Sequence, residues 1–171
     1  MASIFTMNTP LEMNLFFPID EDGFIALVCP DSYTSFVADN WTLTQVSDHF
    51  VEQMNLGNAF IACPGDEAAD EVFALVRRWD GGRVIREASG RVRVGDAGLW
   101  LTSYLQLSTA AQFEDQLAAD PRNSLRLPCA PGLFRVTVRE LAGVEPPFEL
   151  EIRPDGTPGN VHHDAVPWFD L

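Results

Sequence analysis

The sequence predicts a mainly β protein: an antiparallel β-sandwich with one or two short helices. Short apolar or alternating runs are separated by turn residues about every 8–12 residues, which is typical of sandwiches and barrels. The clearest run is Gly132–Leu141, GLFRVTVREL, which alternates strictly. One face of it carries Leu133, Arg135, Thr137 and Arg139, and the other carries Phe134, Val136, Val138 and Glu140. The length of 171 residues fits one domain, with an irregular tail from about residue 154 to residue 171.

The first part of the chain predicts a hairpin. Residues 11–17 and residues 23–29 are both apolar enough for strands, and each run ends at a proline. The turn residues Asp20, Glu21, Asp22 and Gly23 lie between them, so we expect the two strands to pair. Residues 59–63 form a further short strand that ends at Pro64 and Gly65.

A short helix is predicted over residues 49–55. Ser47 and Asp48 are good N-cap residues, and Gly57 follows as a C-terminal stop. Residues 66–79 fit either a helix or a strand. We favour a strand over residues 71–79, because the residues that follow, Trp79 to Arg83, are typical of a hairpin turn.

The remainder of the chain is predicted to be β-rich. Ser89 and Gly90 are expected to form a turn, and residues 108–121 a loop or a frayed helix. The expected strands are residues 83–87, 91–94, 99–107, 124–127, 132–141 and 148–152, the last with Phe148, Leu150 and Ile152 facing inward. The tail is expected to be irregular and held by Trp168 and Phe169.

Charge is distributed unevenly along the sequence. The chain has 25 acids and 11 bases, a net charge of −14, and every base is arginine. Residues 1–76 contain 12 acids and no base, whereas residues 77–171 contain 13 acids and 11 bases. Such a chain repels nucleic acid, whose binding depends on cations that contact phosphates. It attracts a basic protein surface. The alternative explanation is that the acidity only keeps the protein soluble.

The acids of the base-free segment are therefore the candidate partner-binding residues. Trp41 joins them, because tryptophan is common at the centres of interfaces and this one follows Asp39 and Asn40. The full set is Asp20, Glu21, Asp22, Asp31, Asp39, Trp41, Asp48, Glu52, Asp66, Glu67, Asp70 and Glu71.

No pattern indicates catalysis, a metal or a cofactor. The motifs of serine hydrolases, P-loop enzymes, dinucleotide-binding proteins and zinc proteases do not occur. The pair His162 and His163 is expected to lie in a solvent-exposed tail, since adjacent residues point to opposite sides of an extended chain. His49 is expected on a helix surface. The acidic turns do not have the register of an EF-hand loop.

The three cysteines, Cys29, Cys63 and Cys129, are far apart in the sequence and suit buried thiols in a reducing compartment. The first ten residues lack the positive region and apolar stretch of a signal peptide. No run approaches the roughly 18 apolar residues that span a bilayer. We therefore expect a cytoplasmic protein without a membrane partner.

The order of these features resembles the competence protein J family of DNA-entry nuclease inhibitors and related bacterial toxin immunity proteins. An early pair of strands leads to Trp41, a short helix and Gly57 follow, and a β-rich second half contains a Gly-x-aromatic-Arg-Val-x-Val strand at residues 132–138. The resemblance extends over roughly residues 11–154. It implies a β-sandwich-like inhibitor of a nuclease or another toxin that acts by occlusion, and it implies no catalytic residue.

The sequence leaves three hypotheses for the function of the protein. The first is an acidic immunity or inhibitor protein that occludes a basic partner, such as a cognate toxin or nuclease. The second is a non-catalytic ligand-binding or accessory β-domain whose acidity serves solubility. The third is an enzyme with dispersed carboxylates, which requires a deep cleft holding two acids of raised pKa. The charge distribution favours the first.

Overall fold

The computed structural model describes residues 15–79, 81–157 and 161–170. These residues form two β-sheets, mostly antiparallel, and two α-helices, which is a β-sandwich-like arrangement and confirms the predicted fold class. The strands are β1 (Leu15–Pro18), β2 (Ile25–Val28), β3 (Ala59–Ala62), β4 (Val72–Val76), β5 (Val84–Val94), β6 (Leu99–Thr102), β7 (Leu125–Leu127), β8 (Gly132–Leu141) and β9 (Phe148–Pro154). The helices are α1 (Leu43–Asn55) and α2 (Tyr104–Gln112).

The first sheet has five strands in the order β1-β4-β9-β8-β5, and the second has four in the order β3-β2-β6-β7. All neighbours pair antiparallel except β4 and β9, which are parallel. Phe73 and Leu150 of the first sheet, Leu27 and Phe60 of the second, and Phe50 of α1 belong to one buried cluster. Burial of these large side chains is the main stabilising contribution, at roughly 1.5–3 kcal/mol each.

The predicted hairpin between the first two strands is wrong. Strand β1 pairs with β4 in the first sheet, whereas β2 pairs with β3 and β6 in the second. The chain passes from one sheet to the other at Ile19–Phe24, and all four residues of β2 are buried. The neighbours of β2 in the sheet are both distant from it in sequence, so no local sequence pattern predicts which strands it pairs with. Of the predicted first strand, residues 11–14 lie outside the described residues.

Helix α1 begins earlier than predicted, at Leu43. Thr42 is the N-cap: its hydroxyl accepts a hydrogen bond from the Gln45 backbone at 3.2 Å, while the Gln45 side chain accepts one from the Thr42 backbone at 2.8 Å. This reciprocal pair satisfies two N–H groups that otherwise lack partners. Ser47 and Asp48, the predicted cap, lie inside the helix.

The strand alternative for residues 71–79 is confirmed by β4, which follows a 3₁₀ turn at Asp66–Ala68. The turn signal after Trp79 does not produce a hairpin, since β4 pairs with β1 and β9 and not with β5. The predicted turn at Ser89 and Gly90 is also wrong. Both residues lie within the continuous strand β5, where Gly90 leaves room for the Phe60 ring.

The predicted strand over residues 99–107 ends at Thr102, and α2 begins two residues later. The Ser103 hydroxyl accepts a hydrogen bond from the Gln106 backbone at 3.1 Å and caps the helix. In the tail, residues 161–170 contain no helix or strand, and Trp168 and Phe169 pack against the core as expected.

Buried ion pairs lie on the face of β8 and β9 that the alternating pattern assigned to polar residues. Phe148, Leu150 and Ile152 are buried as predicted, but so are Glu149 and Glu151 between them. The guanidinium of Arg139 contacts the carboxylates of Glu151, at 3.1 Å, and Glu87, at 2.7 Å. Only pairing of this kind makes burial of such charges tolerable.

Candidate protein-binding site

Two acidic loops lie side by side at one end of the sandwich, one after β1 and the other before β4. The Gly65 N–H donates to the Gly23 carbonyl at 3.1 Å, and the Ile19 N–H donates to the Glu71 carbonyl at 2.7 Å. Gly23 has a φ of +78°, and a Cβ there would lie 2.3 Å from the Gly65 carbonyl oxygen. Glycine is therefore required where the loops meet.

Seven of the predicted partner-binding acids gather on these loops, and we call them the acidic end: Asp20, Glu21, Asp22, Asp66, Glu67, Asp70 and Glu71. All are exposed except Asp20, which is half-buried. Exposed like charges on adjoining loops create a negative potential that is felt within about a Debye length, roughly 10 Å at 0.1 M salt.

Asp20 organises the acidic end. One carboxylate oxygen accepts hydrogen bonds from the backbone N–H groups of Asp22, at 3.0 Å, and Phe24, at 2.8 Å. The other accepts one from the N–H of Tyr104 at 2.8 Å, in the first turn of α2, where N–H groups have no partner within the helix. Partial burial raises the pKa of Asp20, while these backbone donors act in the opposite direction.

Neighbouring titratable groups respond to these carboxylates. The pKa of the Cys63 thiol rises to about 11, chiefly because the thiol is buried. The negative charges of Asp20 and Asp66 raise this pKa further, while a backbone hydrogen bond at Gly65 and the positive charge of Arg86 lower it. The pKa of Tyr104 is raised by burial and then by Asp22. Both groups are therefore protonated at neutral pH, and Cys63 is not activated as a nucleophile.

The other four predicted acids lie elsewhere. Asp31 follows the end of β2 opposite to Asp20, and its carboxylate accepts a hydrogen bond from the Ala97 backbone at 2.8 Å. Asp39 lies just after residues whose backbone bonds Ala111, near the end of α2 that is remote from the acidic end. Asp48 and Glu52 are exposed on α1. The structure thus brings seven of the acids together and separates these four.

Trp41 is half-buried and packs against the core. Its indole N–H donates to the Ser108 carbonyl of α2 at 3.2 Å. The polar edge of the ring is therefore engaged within the molecule, and Trp41 joins the segment before α1 to α2.

Five arginines form ion pairs among the described residues, and the acids in these pairs all come from after residue 76. The pairs are Arg86–Glu140, Arg91–Asp155, Arg122–Asp120, Arg135–Asp155, Arg139–Glu87 and Arg139–Glu151. In the opening segment, Glu52 lies 3.9 Å from the His49 ring. Arg86 lies beside the acidic end, where its Nη2 donates to the Pro64 carbonyl at 2.7 Å, but its ion pair is with Glu140. None of these five arginines forms an ion pair with a carboxylate of the acidic end.

The tail departs from the predicted exposed arrangement at His163, which is only 8% exposed. Its backbone N–H and carbonyl both bond the Asn55 side chain, at 2.7 and 3.0 Å. His162 remains exposed and lies 3.0 Å from the Asp164 carboxylate. Among residues 15–79, 81–157 and 161–170, no group of three or more histidine, cysteine or acidic side chains is placed to hold a metal ion.

Sequence reasoning missed the contribution of Tyr104 to the acidic end. It assigned residues 99–107 to one strand, and a strand continuing through Tyr104 has no free N–H for Asp20. The signal was present in Ser103 and Gln106, whose spacing is that of an N-cap and the third residue of a helix.

No family model matches the chain, and no curated protein matches it. Two solved structures are similar to it. A protein described as crocagin biosynthetic gene J has a TM-score of 0.51 at 10% identity, over 83% of this chain and 96% of that one. ComJ from Bacillus subtilis, described as an inhibitor of the DNA-degrading activity of NucA, has a TM-score of 0.46 at 12% identity, over 84% of this chain and 96% of that one. At these identities the likeness concerns the fold alone.

Proposed function

We propose that this protein is an inhibitor that binds a basic protein through its acidic end and occludes the partner's working surface. The observation that supports it is the gathering of seven carboxylates on two adjoining loops. Other acids form the ion pairs of Arg86, Arg91, Arg122, Arg135 and Arg139. A concentrated negative surface accelerates encounter with a positive one and suppresses binding to the wrong partners.

The partner's chemistry follows from that surface. A nuclease or other toxin that acts on a polyanion has a cleft lined by lysine and arginine, and exposed carboxylates compete with phosphate for those cations. The family resemblance in the sequence makes a nuclease the first partner class to test. The inhibitor contributes no chemistry in this proposal, which is why it is not expected to be an enzyme.

Three free cysteines accord with action in a reducing compartment, and we propose the cytoplasm. Within the described residues no helix is both long and apolar enough to cross a membrane.

The test uses two matched quadruple variants of the full chain. One neutralises the acidic end (E21Q/D22N/E67Q/E71Q), and the control neutralises four acids that lie elsewhere (D31N/D39N/D48N/E52Q). Each is immobilised beside the wild type and exposed to lysate from the source organism, after circular dichroism has established that all three are folded. Proteins retained by the wild type are purified, and their activity is assayed with and without the chain.

The proposal expects a basic protein to be retained by the wild type and by the control, lost from the acidic-end variant, and inhibited on binding. Retention of an acidic protein, equal retention by both variants, or an unchanged activity of the bound protein would each contradict it.

A further inference from the structure

Arginines gather on the outer face of the five-stranded sheet, near the end of β5 where the chain leaves the sheet. Arg91, Arg135 and Arg153 lie opposite one another in register across β5, β8 and β9. Opposed residues in antiparallel strands share a face, so the three side chains lie on one side. Arg93, two residues beyond Arg91, lies on that same side. We call these four residues the arginine patch.

Carboxylates are scarce at the arginine patch. Asp155 contacts the Nε atoms of Arg91, at 3.1 Å, and Arg135, at 3.2 Å. Among the described residues no carboxylate pairs with Arg93 or Arg153, and both are exposed. A chain of net charge −14 therefore has a local excess of positive charge at the arginine patch.

A cavity of about 210 Å³ opens beside the patch, between β5, β8 and the end of α1. Two arginines line it, Arg91 and Arg93, and none of its lining residues is acidic. Its apolar lining consists of Met54, Leu56, Leu133 and Val161. Its volume is below the roughly 300–1,000 Å³ of pockets for drug-sized ligands, so it suits a small molecule.

The position of Arg91 is determined by two contacts with the chain that follows β9. It is only 9% exposed, its Nη2 donates to the Thr157 carbonyl, and its Nε lies beside Asp155. The wall is also fixed, because the Arg93 N–H donates to the Gly57 carbonyl at 2.8 Å. The carboxyl end of α1 contributes a partial negative charge of about half a unit. Arg91 is paired with Asp155, and the full positive charge of Arg93 outweighs that partial charge. The fixed guanidinium of Arg91 lowers the ordering cost of binding an anion.

We propose that this cavity binds a small organic oxyanion, a carboxylate or a phosphate monoester with a short aliphatic body. The planar guanidinium of Arg93 has no carboxylate partner among the described residues and matches two oxygens of either head group. The side chains of Leu56, Leu133 and Val161, which are at least partly exposed, then contact the aliphatic body of the ligand. This site is separate from the acidic end.

The test is titration of the full chain by isothermal calorimetry with three probes of equal chain length: hexanoate, hexyl phosphate and hexanamide. At least one of the two anions should bind about 10-fold or more tightly than the neutral amide, because hydrogen bonds between charged groups are the stronger ones. The tighter of the two anions identifies the head group. R93Q should weaken anion binding by about 10-fold. R126Q removes the same charge from β7 in the other sheet and should leave the binding unchanged.

Equal binding of hexanamide and the anions would overturn the proposal, since the arginines would then contribute nothing. Equal loss in R93Q and R126Q would overturn it as well, because only net charge would matter. So would the absence of binding by all three probes. No protein partner enters this assay, so its failure leaves the inhibitor proposal standing.

Discussion

Neutralising the acidic end should slow the association of a basic partner. The E21Q/D22N/E67Q/E71Q variant removes four of the seven carboxylates on the two loops and leaves Asp20, which holds the loop together through three backbone donors. An exposed ion pair contributes about 0.2–1 kcal/mol, so four contribute on the order of 2 kcal/mol. That corresponds to about a 30-fold loss of affinity at low salt. Charges at the rim of an interface act mainly on the association rate, and we expect most of the loss there.

The assay is surface plasmon resonance with the purified partner at several salt concentrations. The Debye length falls from about 10 Å at 0.1 M to about 3 Å at 1 M, so the difference between wild type and variant should nearly vanish at high salt. The control, D31N/D39N/D48N/E52Q, removes the same net charge from other places and should change the rate several-fold less. Equal rates for wild type and acidic-end variant at low salt would refute the reasoning. An equal fall in both variants would show that total charge, and not its location, governs association.

Three further predictions concern stability. Gly23→Ala should lower the free energy of unfolding in urea by at least about 1 kcal/mol more than Gly143→Ala does. Both glycines have a positive φ, but only at Gly23 would the new methyl group collide with backbone atoms. Equal costs would contradict the close approach of the loops. Arg139→Ala should lower the free energy of unfolding by about 3–5 kcal/mol, because it leaves the buried carboxylate of Glu151 without its arginine. Glu87→Ala should lower it by under about 1 kcal/mol, because Glu87 is half-exposed. Similar costs in the two variants would refute this. The pKa of Asp155 is lowered to about 2, first by the hydroxyl of Thr157, then by the Thr157 backbone N–H and by arginine contacts. The carboxylate of Asp155 therefore stabilises the fold above about pH 4, and this contribution is lost as the pH falls towards 2. Asp155→Asn should reduce the pH dependence of unfolding in that window, measured by near-ultraviolet circular dichroism, and an unchanged acid transition would show that Asp155 does not contribute.

The two proposed sites carry opposite charge: the acidic end is negative and the arginine patch is positive. The strand β5 begins near the acidic end, where Arg86 donates to the Pro64 carbonyl at 2.7 Å, and it ends at the arginine patch, where Arg93 bonds Gly57. A basic protein bound at the first site and a small anion bound at the second would therefore contact different ends of one long strand.

Local patterns were sufficient for some elements and not for others. The alternation in β8 predicted its bounds and placed Phe134, Val136 and Val138 on one face, because a ten-residue period-two pattern leaves few alternatives. The structure buries these three side chains. The same pattern missed the burial of Arg139 on the opposite face. That burial depends on Glu87 and Glu151 from neighbouring strands, and no local pattern identifies those neighbours.

By itself, the sequence determined the fold class, the main strand-forming segments and the concentration of uncompensated acids before residue 77. These depend on composition and short-range periodicity. The tertiary structure alone decided which strands pair, that β1 and β2 belong to different sheets, and that seven acids meet while four do not. Those outcomes depend on contacts between residues far apart in the chain, here the backbone bonds that join the loop at Gly23 to the loop at Gly65.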